Sequence, residues 1–215
     1  MPLFSRRFYD FYTHPMDSIT RFAYIAKKYG YSGIAVFNSP ITKYIENKPE
    51  NFSIYEGMEI SCKPSMKDEI KKHKTNIILV RGGDEKQNRI ALKNGIDILM
   101  QPIEFNHVLA RIAYDNSIAI GFDIGCIIKY RGYDRVKTLR IMRTNLKYVR
   151  KYNLSMILTS NSYTCYDLRS PREMVALANL FGMTKEEAVD AMSTFPLEIV
   201  RRKSPSYVQE GVEII

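Results

Sequence analysis

The chain has 215 residues, of which 45% are hydrophobic and 12% aromatic, and this is enough to bury the core of one domain. No stretch is apolar for long enough to span a membrane, and the first residues lack the apolar run of a signal peptide, so the sequence predicts a cytoplasmic protein with no membrane partner. The formal net charge of +9 suits an anionic partner. The three cysteines are too few and too scattered for a disulfide framework.

Strand-like runs and helical patterns alternate along the chain. The strand-like runs are RRFYDFY, which ends at Tyr12, and then residues 33–37, 53–60, 76–80, 95–100, 117–122 and 154–159. Helical periodicity predicts helices over residues 17–30, 68–74, 85–95, 106–116 and 133–153. Two later helices begin at capping boxes, which run from Ser170 to Glu173 and from Thr184 to Glu187.

Seven strands rich in Ile, Val and Leu that alternate with helices predict a parallel sheet covered by helices. Such a sheet is either open and doubly wound or closed into a barrel. No Gly-x-Gly-x-x-Gly motif follows the first strand, which removes the main support for an open dinucleotide-binding sheet. We therefore predict an α/β fold, a TIM-like (β/α) barrel with seven strands. A single domain is expected over residues 1–203, with residues 204–215 as a C-terminal tail packed on its body.

In a (β/α) barrel the functional face lies where the strands end and the following loops begin. The polar residues expected at this face are His14, Asn38, Glu59, Cys62, Arg81, Gln101, Asp123 and Asn161. A multinuclear metal site needs several histidines and carboxylates, whereas this chain has three histidines and only His14 ends a predicted strand. His14, Glu59 and Asp123 could hold one loosely bound Mg²⁺, but not a multinuclear centre.

Two features of this face have two interpretations each. Cys62, Cys126 and Cys165 follow strand ends, and they form either a three-thiolate zinc site or, as cysteines do more often, small buried hydrophobic contacts. The turn from Arg81 to Asp84, with sequence RGGD, offers either free backbone N–H groups for a phosphate or an ordinary strand-to-helix turn.

The segment from Lys129 to Lys151 carries most of the charge. It contains nine basic residues and one acid, Asp134, which is a net charge of +8. The apolar stripe predicted to face the sheet consists of Val136, Leu139, Met142, Leu146 and Val149. Basic residues collect on one flank of this stripe: Lys137, Arg140, Arg143, Lys147, Arg150 and Lys151. The other flank has Ile141, Tyr148 and Tyr152.

Like charges on one flank repel one another unless an anion neutralises them, and a phosphate backbone is the natural candidate. The alternative is a basic face that is merely solvated. Tyr148 and Tyr152 either stack on bases or meet a protein partner, or they are half-buried packing residues. A second basic cluster, Arg169 and Arg172, is expected on the functional face after the last strand.

Five stretches of the sequence resemble a known family. They are FYDFYTH, YGYSGIAVFN, EGMEIS, GIDILMQPIEFNHVLARIAYDNSIAIGFDI and ILTSNSYTCYDLRSPREMVALANLFGMTKEEAVDAMSTFPLEIV. Over essentially its whole length the chain resembles the archaeal ribonuclease P protein component 3 family, which is homologous to a barrel subunit of eukaryotic nuclear ribonuclease P. The first three stretches are shared with the wider PHP superfamily of phosphoesterases.

The superfamily resemblance implies a PHP-related barrel whose metal site is dismantled. His14 and Glu59 match positions that carry metal ligands in the active enzymes, and they are expected to be a remnant of that site. Tyr12 replaces another ligand, and residues 160–163 match a ligand strand with neither its Asp nor its His kept. The expectation is therefore a chain that binds no metal and no other cofactor, and that has no catalytic residue.

The family resemblance implies a non-catalytic protein of ribonuclease P, in which the RNA subunit uses Mg²⁺ to cleave the 5′ leader from precursor tRNA. The expected partners are the ribonuclease P RNA, a second protein subunit (the archaeal component 2), the other ribonuclease P proteins and, indirectly, precursor tRNA. The residues expected to contact RNA phosphates are Lys129, Arg131, Lys137, Arg140, Arg143, Lys147, Arg150 and Lys151, with Arg81, Arg169 and Arg172 as a second patch.

Two other functions stay open on the sequence. A stand-alone metal-dependent phosphoesterase of the PHP superfamily would bind Zn²⁺ or Mn²⁺ tightly and hydrolyse a small phosphate ester, and the histidine count is unfavourable to both. A general RNA-binding barrel outside ribonuclease P would bind many RNAs with similar affinity and would need no protein partner.

Overall fold

Seven parallel strands form one sheet in which each strand pairs with the next one along the chain. The computed structural model describes residues 6–16, 18–41, 47–63 and 66–204, together with the backbone of residues 207–209 and 212–213. The strands are β1 (Phe8–Thr13), β2 (Tyr31–Phe37), β3 (Ser53–Glu59), β4 (Ile77–Arg81), β5 (Ile98–Met100), β6 (Ala119–Asp123) and β7 (Met156–Thr159). All seven predicted strands are confirmed.

Helices lie between the strands and cover the outside of the sheet. They are α1 (Ile19–Lys28), α2 (Met66–Lys72), α3 (Glu85–Leu92), α4 (His107–Asp115), α5 (Ile124–Lys129), α6 (Gly132–Tyr152), α7 (Pro171–Ala178), α8 (Lys185–Met192) and α9 (Thr194–Lys203). Both predicted capping boxes are present, at the starts of α7 and α8. Helix α5 was not predicted, because six residues are too few to show a helical period.

The barrel closes at the seam between β7 and β1. A backbone bridge joins Thr13 to Ser162, just beyond the end of β7. Below it, the buried carboxylate of Asp10 accepts hydrogen bonds from the hydroxyls of Thr159 and Ser160 and from the Ser160 backbone N–H. These side-chain bonds hold the two strands together beside the bridge, and they make the sheet a nearly closed barrel of the TIM-like type.

Large side chains packed over glycines fill the barrel interior. The ring of Phe37 lies so close to Gly57 that an added Cβ there would be 2.4 Å from the ring. Met100 lies over Gly121 in the same way, at 2.6 Å from such a Cβ. Because a small residue on one strand makes room for a large one on its neighbour, the interior is packed with side chains.

Helix α9 covers the end of the barrel where the strands begin. Ile199 on this helix is buried in the interior cluster. At the end of the helix, Lys203 forms a 2.7 Å ion pair with Asp97, and Arg202 donates a hydrogen bond to the carbonyl of Ser117. Asp97 and Ser117 precede β5 and β6, so α9 leaves only the opposite end of the barrel, the mouth, open for function.

Half of the predicted tail, residues 205–206, 210–211 and 214–215, lies outside the described residues. Within the tail, β8 (Tyr207–Gln209) and β9 (Val212–Glu213) pair as a short antiparallel sheet. The packing of residues 204–215 on the body, and with it the boundary at residue 203, stays a prediction. In the described part of the chain, each helix is too short or too polar to cross a membrane.

Candidate functional site

Glu59 is the centre of one hydrogen-bonded network at the mouth. It ends β3 and accepts a 2.8 Å hydrogen bond from the hydroxyl of Tyr12. The guanidinium of Arg81 reaches both groups, with its Nε 3.3 Å from a Glu59 carboxylate oxygen and 2.9 Å from the Tyr12 hydroxyl. The backbone N–H of Glu59 donates to the side chain of Asn38. The ends of four strands, β1 to β4, are thereby tied together by paired polar groups.

Asp123 is the centre of a second network on the same face. Its buried carboxylate accepts hydrogen bonds from Asn161 Nδ2 at 2.7 Å and from the thiol of Cys126 at 3.1 Å, and it caps α5 through the Cys126 backbone N–H. The backbone N–H of Asp123 donates to Gln101 Oε1 at 3.2 Å. The predicted gathering of polar residues at the mouth is therefore confirmed for these side chains.

The ionisation of these groups follows from their burial and their neighbours. Burial lowers the pKa of His14, against the opposing effect of Glu59, so the imidazole is neutral at pH 7. Burial opposes the charge of Arg81, but Tyr12, Asp123 and Glu59 together raise its pKa above the usual value. Burial raises the pKa of Cys126 to about 12, with a further contribution from Asp123, so this cysteine remains a thiol.

These residues do not fit a bound metal ion. His14 Nε2 lies 4.0 Å from Glu59, but the carboxylate is already bonded to Tyr12 and to the positive guanidinium of Arg81. A metal ion bound to Glu59 would have to displace Arg81 or sit beside its charge. Within the described residues, no three His, Cys, Asp or Glu side chains are grouped as metal ligands.

The zinc interpretation of the cysteines is wrong, because the three thiols have different surroundings. Cys62 contacts the carbonyl of Gln87 on α3. Cys126 is bonded to Asp123, and Cys165 is buried in the layer between the sheet and the helices. The alternative interpretation, a cysteine that makes small buried hydrophobic contacts, is the better one for Cys165.

The turn from Arg81 to Asp84 is an ordinary strand-to-helix turn. The N–H groups of Gly82 and Gly83 already donate to the carbonyl of Met100 and to the side chain of Asn88. Asp84 caps α3 with its own carboxylate. The turn therefore has no free N–H groups at its glycines for a phosphate.

The basic flank of α6 divides into two groups. Four of its side chains are exposed and form no ion pair with any residue that the structure describes: Lys137, Arg140, Lys147 and Lys151. The other two are engaged by neighbouring elements. Arg150 forms a bidentate ion pair with Glu187, at 2.7 Å for both bonds, and also donates to the carbonyl of Gly182. Arg143 donates to the carbonyl of Leu180. We call the four exposed residues the free cation row.

The predicted apolar stripe of α6 is correct at four of its five positions. Met142, Leu146 and Val149 are buried and Leu139 packs against the core, but Val136 is 55% exposed. Its prediction was wrong because the first turns of α6 stand beside the barrel mouth and not over the sheet, as the cleft between Arg81 and the start of α6 shows. On the other flank, Tyr148 and Tyr152 are half-buried against the core, which favours the packing interpretation.

The second basic patch does not form as predicted. The carbonyl of Arg169 accepts a hydrogen bond from Tyr31, the first residue of β2, and Pro171 lies beside Gly30. This segment therefore packs toward the start of β2 and not at the mouth, so Arg169 and Arg172 are separated from Arg81. The sequence could not show this, since the chain runs eleven residues from the end of β7 before α7 begins.

Lys129 and Arg131 lie at the rim of the mouth. Lys129 is the last residue of α5. Its ammonium is 3.4 Å from the carbonyl of Asn161 and 4.9 Å from the ring centre of Tyr163. Tyr163 in turn stacks on His14 at 4.9 Å. Arg131 is exposed immediately before α6.

Comparison with known proteins identifies the family. Residues 7–206 match the family described as RNase P subunit p30. The chain belongs to this family. A protein named ribonuclease P protein component 3 from Methanococcoides burtonii is 39% identical, with 97% of this chain and 94% of that protein covered. One of the same name from Methanosarcina mazei is 35% identical, with 97% and 95% covered.

Solved structures show the same fold as this RNase P p30 chain. A chain in the cryo-EM structure of archaeal ribonuclease P with mature tRNA superposes with a TM-score of 0.80 at 24% identity, covering 95% of this chain and 97% of that one. A Xaa-Pro dipeptidase superposes with a TM-score of 0.69 at 10% identity, covering 92% and 76%. The family therefore shares its barrel architecture with enzymes of distant sequence.

Sequence reasoning missed two groups of residues in this RNase P p30 chain. Asp10 accepts the hydrogen bonds that hold the seam, and its position as a charged residue inside an apolar run was the available signal. Tyr130 and Tyr133 stand exposed at the rim beside Lys129 and Arg131. The alternation of tyrosine with basic residues in KYRGYDR was the available signal.

Proposed function

We propose that this chain is a non-catalytic protein subunit of ribonuclease P that supports the catalytic RNA in removing the 5′ leader from precursor tRNA. The observation that carries the proposal is the free cation row of α6, because a member of the RNase P p30 family has here a ridge of positive charge that forms no ion pair with any described residue. Folded proteins usually mix charges of both signs on a solvated helix, and this helix does not.

The physical role of the row is to neutralise phosphates. Each phosphate that meets a lysine or arginine releases condensed counterions, and this release favours binding at moderate salt. An RNA whose phosphates are neutralised folds with fewer Mg²⁺ ions, since the repulsion that those ions screen is smaller. The chain would thus act on the conformation of the RNA, and the Mg²⁺ of the reaction would belong to the RNA subunit.

The mouth supports the non-catalytic part of the proposal. The guanidinium of Arg81 and the hydroxyl of Tyr12 already bond to the carboxylate of Glu59. The pair of His14 and Glu59, the proposed remnant of a metal site, is therefore not open to a metal ion. We propose that the chain itself binds no metal or other cofactor. A metal-dependent phosphoesterase would need several convergent ligands that this mouth replaces with internal pairs.

The proposed partners follow from the named relatives. Proteins called ribonuclease P protein component 3 match this chain over nearly its full length. We propose that it binds the ribonuclease P RNA, the second protein subunit known as component 2 and the other ribonuclease P proteins, and that precursor tRNA is met indirectly. Arg81, Arg169 and Arg172 are less suited to phosphate than the free cation row, because Arg81 is paired and the other two lie apart from it.

The test is cleavage of precursor tRNA by the RNA subunit with its full set of proteins over a range of Mg²⁺ concentrations. The variant replaces the free cation row by glutamine, which removes four charges and keeps helix propensity. A matched control replaces four exposed lysines of α1, α2 and α3 by glutamine: Lys28, Lys67, Lys72 and Lys86.

We expect the free-row variant to need more Mg²⁺ for half-maximal cleavage. The control should behave as the unmodified chain, because in this proposal only the free cation row faces RNA. An unchanged Mg²⁺ demand in both variants would mean that the row is merely solvated. An equal rise in both would mean that total charge matters and position does not. Cleavage by the protein without RNA would contradict the non-catalytic role.

A further inference from the structure

A cleft opens between the barrel mouth and the first turns of α6. Its volume is about 440 Å³, and its floor and walls include Met100, Ile103 and Ile141. Arg81, Gln101, Tyr130 and Lys137 also line it. This combination of apolar walls with a few polar groups is that of a small-ligand site and not of an ordinary surface groove.

Two amides near the cleft are each satisfied on one side only: Gln101 lines the cleft, and Asn161 is bonded to Asp123, which bonds Cys126 of the cleft wall. The network around Asp123 uses Nδ2 of Asn161 and Oε1 of Gln101. This leaves Oδ1 of Asn161 and Nε2 of Gln101, both buried, with no hydrogen-bond partner. One is an acceptor and the other a donor, which is the mixture that the edge of a nucleobase presents.

The backbone at these amides is also held in an unusual conformation. Gln101 and Asn161 both have φ of 47°, in the left-handed region, within two residues of a strand end. Non-glycine residues in this region are uncommon and collect at binding sites, where the surrounding structure holds them in place. Of the six described non-glycine residues with positive φ, Gln101 and Asn161 are the two that also carry a buried, unpartnered amide atom.

Tyrosines and cations surround the opening. Tyr130 is 45% exposed in the cleft wall, and Tyr133 is 78% exposed one turn further on. Tyr163 lies at the rim beneath the ammonium of Lys129. Aromatic faces next to cations bind unpaired nucleotides, because each base stacks on a ring while its phosphate meets a charge. A duplex cannot use such a site, since its base faces and edges are already occupied.

We infer that this cleft receives one unpaired nucleotide of an RNA strand, with the base stacked on Tyr130 and its edge toward Gln101, and the phosphate near Lys137. The inference rests on the proposed RNA-binding function and adds the class of ligand to it. It also joins the mouth to the free cation row, because Lys137 belongs to both. An RNA strand bound along the free cation row would thus reach the cleft at Lys137, the first residue of the row.

The test measures binding of the full chain to RNA by fluorescence anisotropy at fixed salt. Three probes of equal length are compared: a single-stranded octamer, the same octamer with abasic nucleotides, and the duplex. The abasic probe keeps every phosphate and lacks the bases. We expect the intact single strand to bind at least about fivefold more tightly than the abasic one, as one base–aromatic stack provides.

Two substitutions at one position then assign the effect to the cleft. Tyr130→Leu should abolish the preference for the intact strand, whereas Tyr130→Phe, which keeps the ring, should retain it. A preference that survives in Tyr130→Leu would place the base elsewhere and overturn the inference. The same conclusion follows if Tyr130→Leu weakens assembly with another protein subunit and leaves RNA binding unchanged, since the cleft would then serve a protein.

The probes also separate this inference from the proposed function. If the unmodified chain binds the intact, abasic and duplex probes equally, the nucleotide site is wrong while binding to phosphates stands. If it binds none of them and also fails to bind the ribonuclease P RNA, both are wrong.

Discussion

Charged residues inside the barrel and charged residues on α6 follow opposite rules. At the mouth and the seam, Glu59, Asp123 and Asp10 each have partners from neighbouring strands, and Arg81 is held between Glu59 and Tyr12. On the outer face of α6, the free cation row has no such partners among the described residues. The interior charges therefore support the fold, and the outer charges are available to another molecule.

The contrast separates two places where a barrel holds charge. A metal site requires ligands that are held in place but not satisfied by the protein itself. Here Tyr12 and Arg81 satisfy the carboxylate of Glu59, whereas the free cation row forms no ion pair with any described residue.

The largest effect is expected when an interior charge is removed from the seam. Asp10→Ala would leave the hydroxyls of Thr159 and Ser160 and one backbone N–H without their acceptor in a buried place. We expect a loss of about 3–5 kcal/mol in the free energy of unfolding. Urea denaturation measures it, and Lys151→Gln, which changes one charge of the free cation row, should stay within about 0.5 kcal/mol. Equal losses in the two variants would remove the distinction.

The pH dependence of stability tests the same carboxyl group. Burial raises the pKa of Asp10 from 3.8 to about 6, against the hydrogen bonds from Ser160 and Thr159 that lower it. A raised carboxyl pKa stabilises the fold below pH 4, and this contribution is lost as the pH rises through 6. Relative to Asp10→Asn, the unmodified chain should lose at most about 3 kcal/mol of its unfolding free energy between pH 4 and pH 7.

The comparison with Asp10→Asn removes the effect of other carboxyl groups, such as Glu187, whose pKa is lowered chiefly by its hydrogen bonds from Arg150. A carboxyl group with a lowered pKa stabilises the fold as the pH rises, which is opposite to the effect of Asp10, but such groups are present in both proteins. Parallel stability curves for the two proteins between pH 4 and pH 7 would show that Asp10 is not held as described.

A smaller effect is expected at the mouth. Arg81→Gln would leave the partly buried Glu59 with Tyr12 but no cation, which costs about 1–2 kcal/mol of unfolding free energy because solvent still reaches both side chains. Cleavage of precursor tRNA by the reconstituted enzyme should change less than it does in the free-row variant. A variant with normal stability and a strongly raised Mg²⁺ demand would move Arg81 from the structural group to the RNA-binding group.

The parts of the fold that depend on local pattern could be predicted from the sequence. The seven strands and the capping boxes before α7 and α8 are set by neighbours within a few residues, and they are confirmed. So is the gathering of His14, Glu59, Arg81 and Asp123 at one end of the barrel, because parallel strands all end on the same face.

The parts that depend on distant segments could not be predicted. The charge of Arg150 is used by Glu187, which is 37 residues further along the chain. The helical period of α6 does not distinguish Arg150 from Lys147, which is exposed and forms no ion pair with any described residue. In the same way, Asp10 meets residues about 150 positions away. Such pairs arise from packing, which a single sequence does not display.

The most direct test of the account compares two pairs of cations on one helix. Lys147→Gln/Lys151→Gln removes two free charges, and Arg143→Gln/Arg150→Gln removes two engaged ones. The measurement is the affinity for the ribonuclease P RNA at several salt concentrations, with circular dichroism to confirm that both variants are folded. The slope of log affinity against log salt falls by about 0.7–0.9 for each lost phosphate contact.

We predict that the slope falls by about 1.5 for the free pair and by less than about 0.5 for the engaged pair. This result would show that the fold itself selects which charges of α6 meet RNA. Equal changes for both pairs would contradict the account, since the ion pair of Arg150 with Glu187 and the bond of Arg143 to Leu180 would then not withhold these residues from RNA.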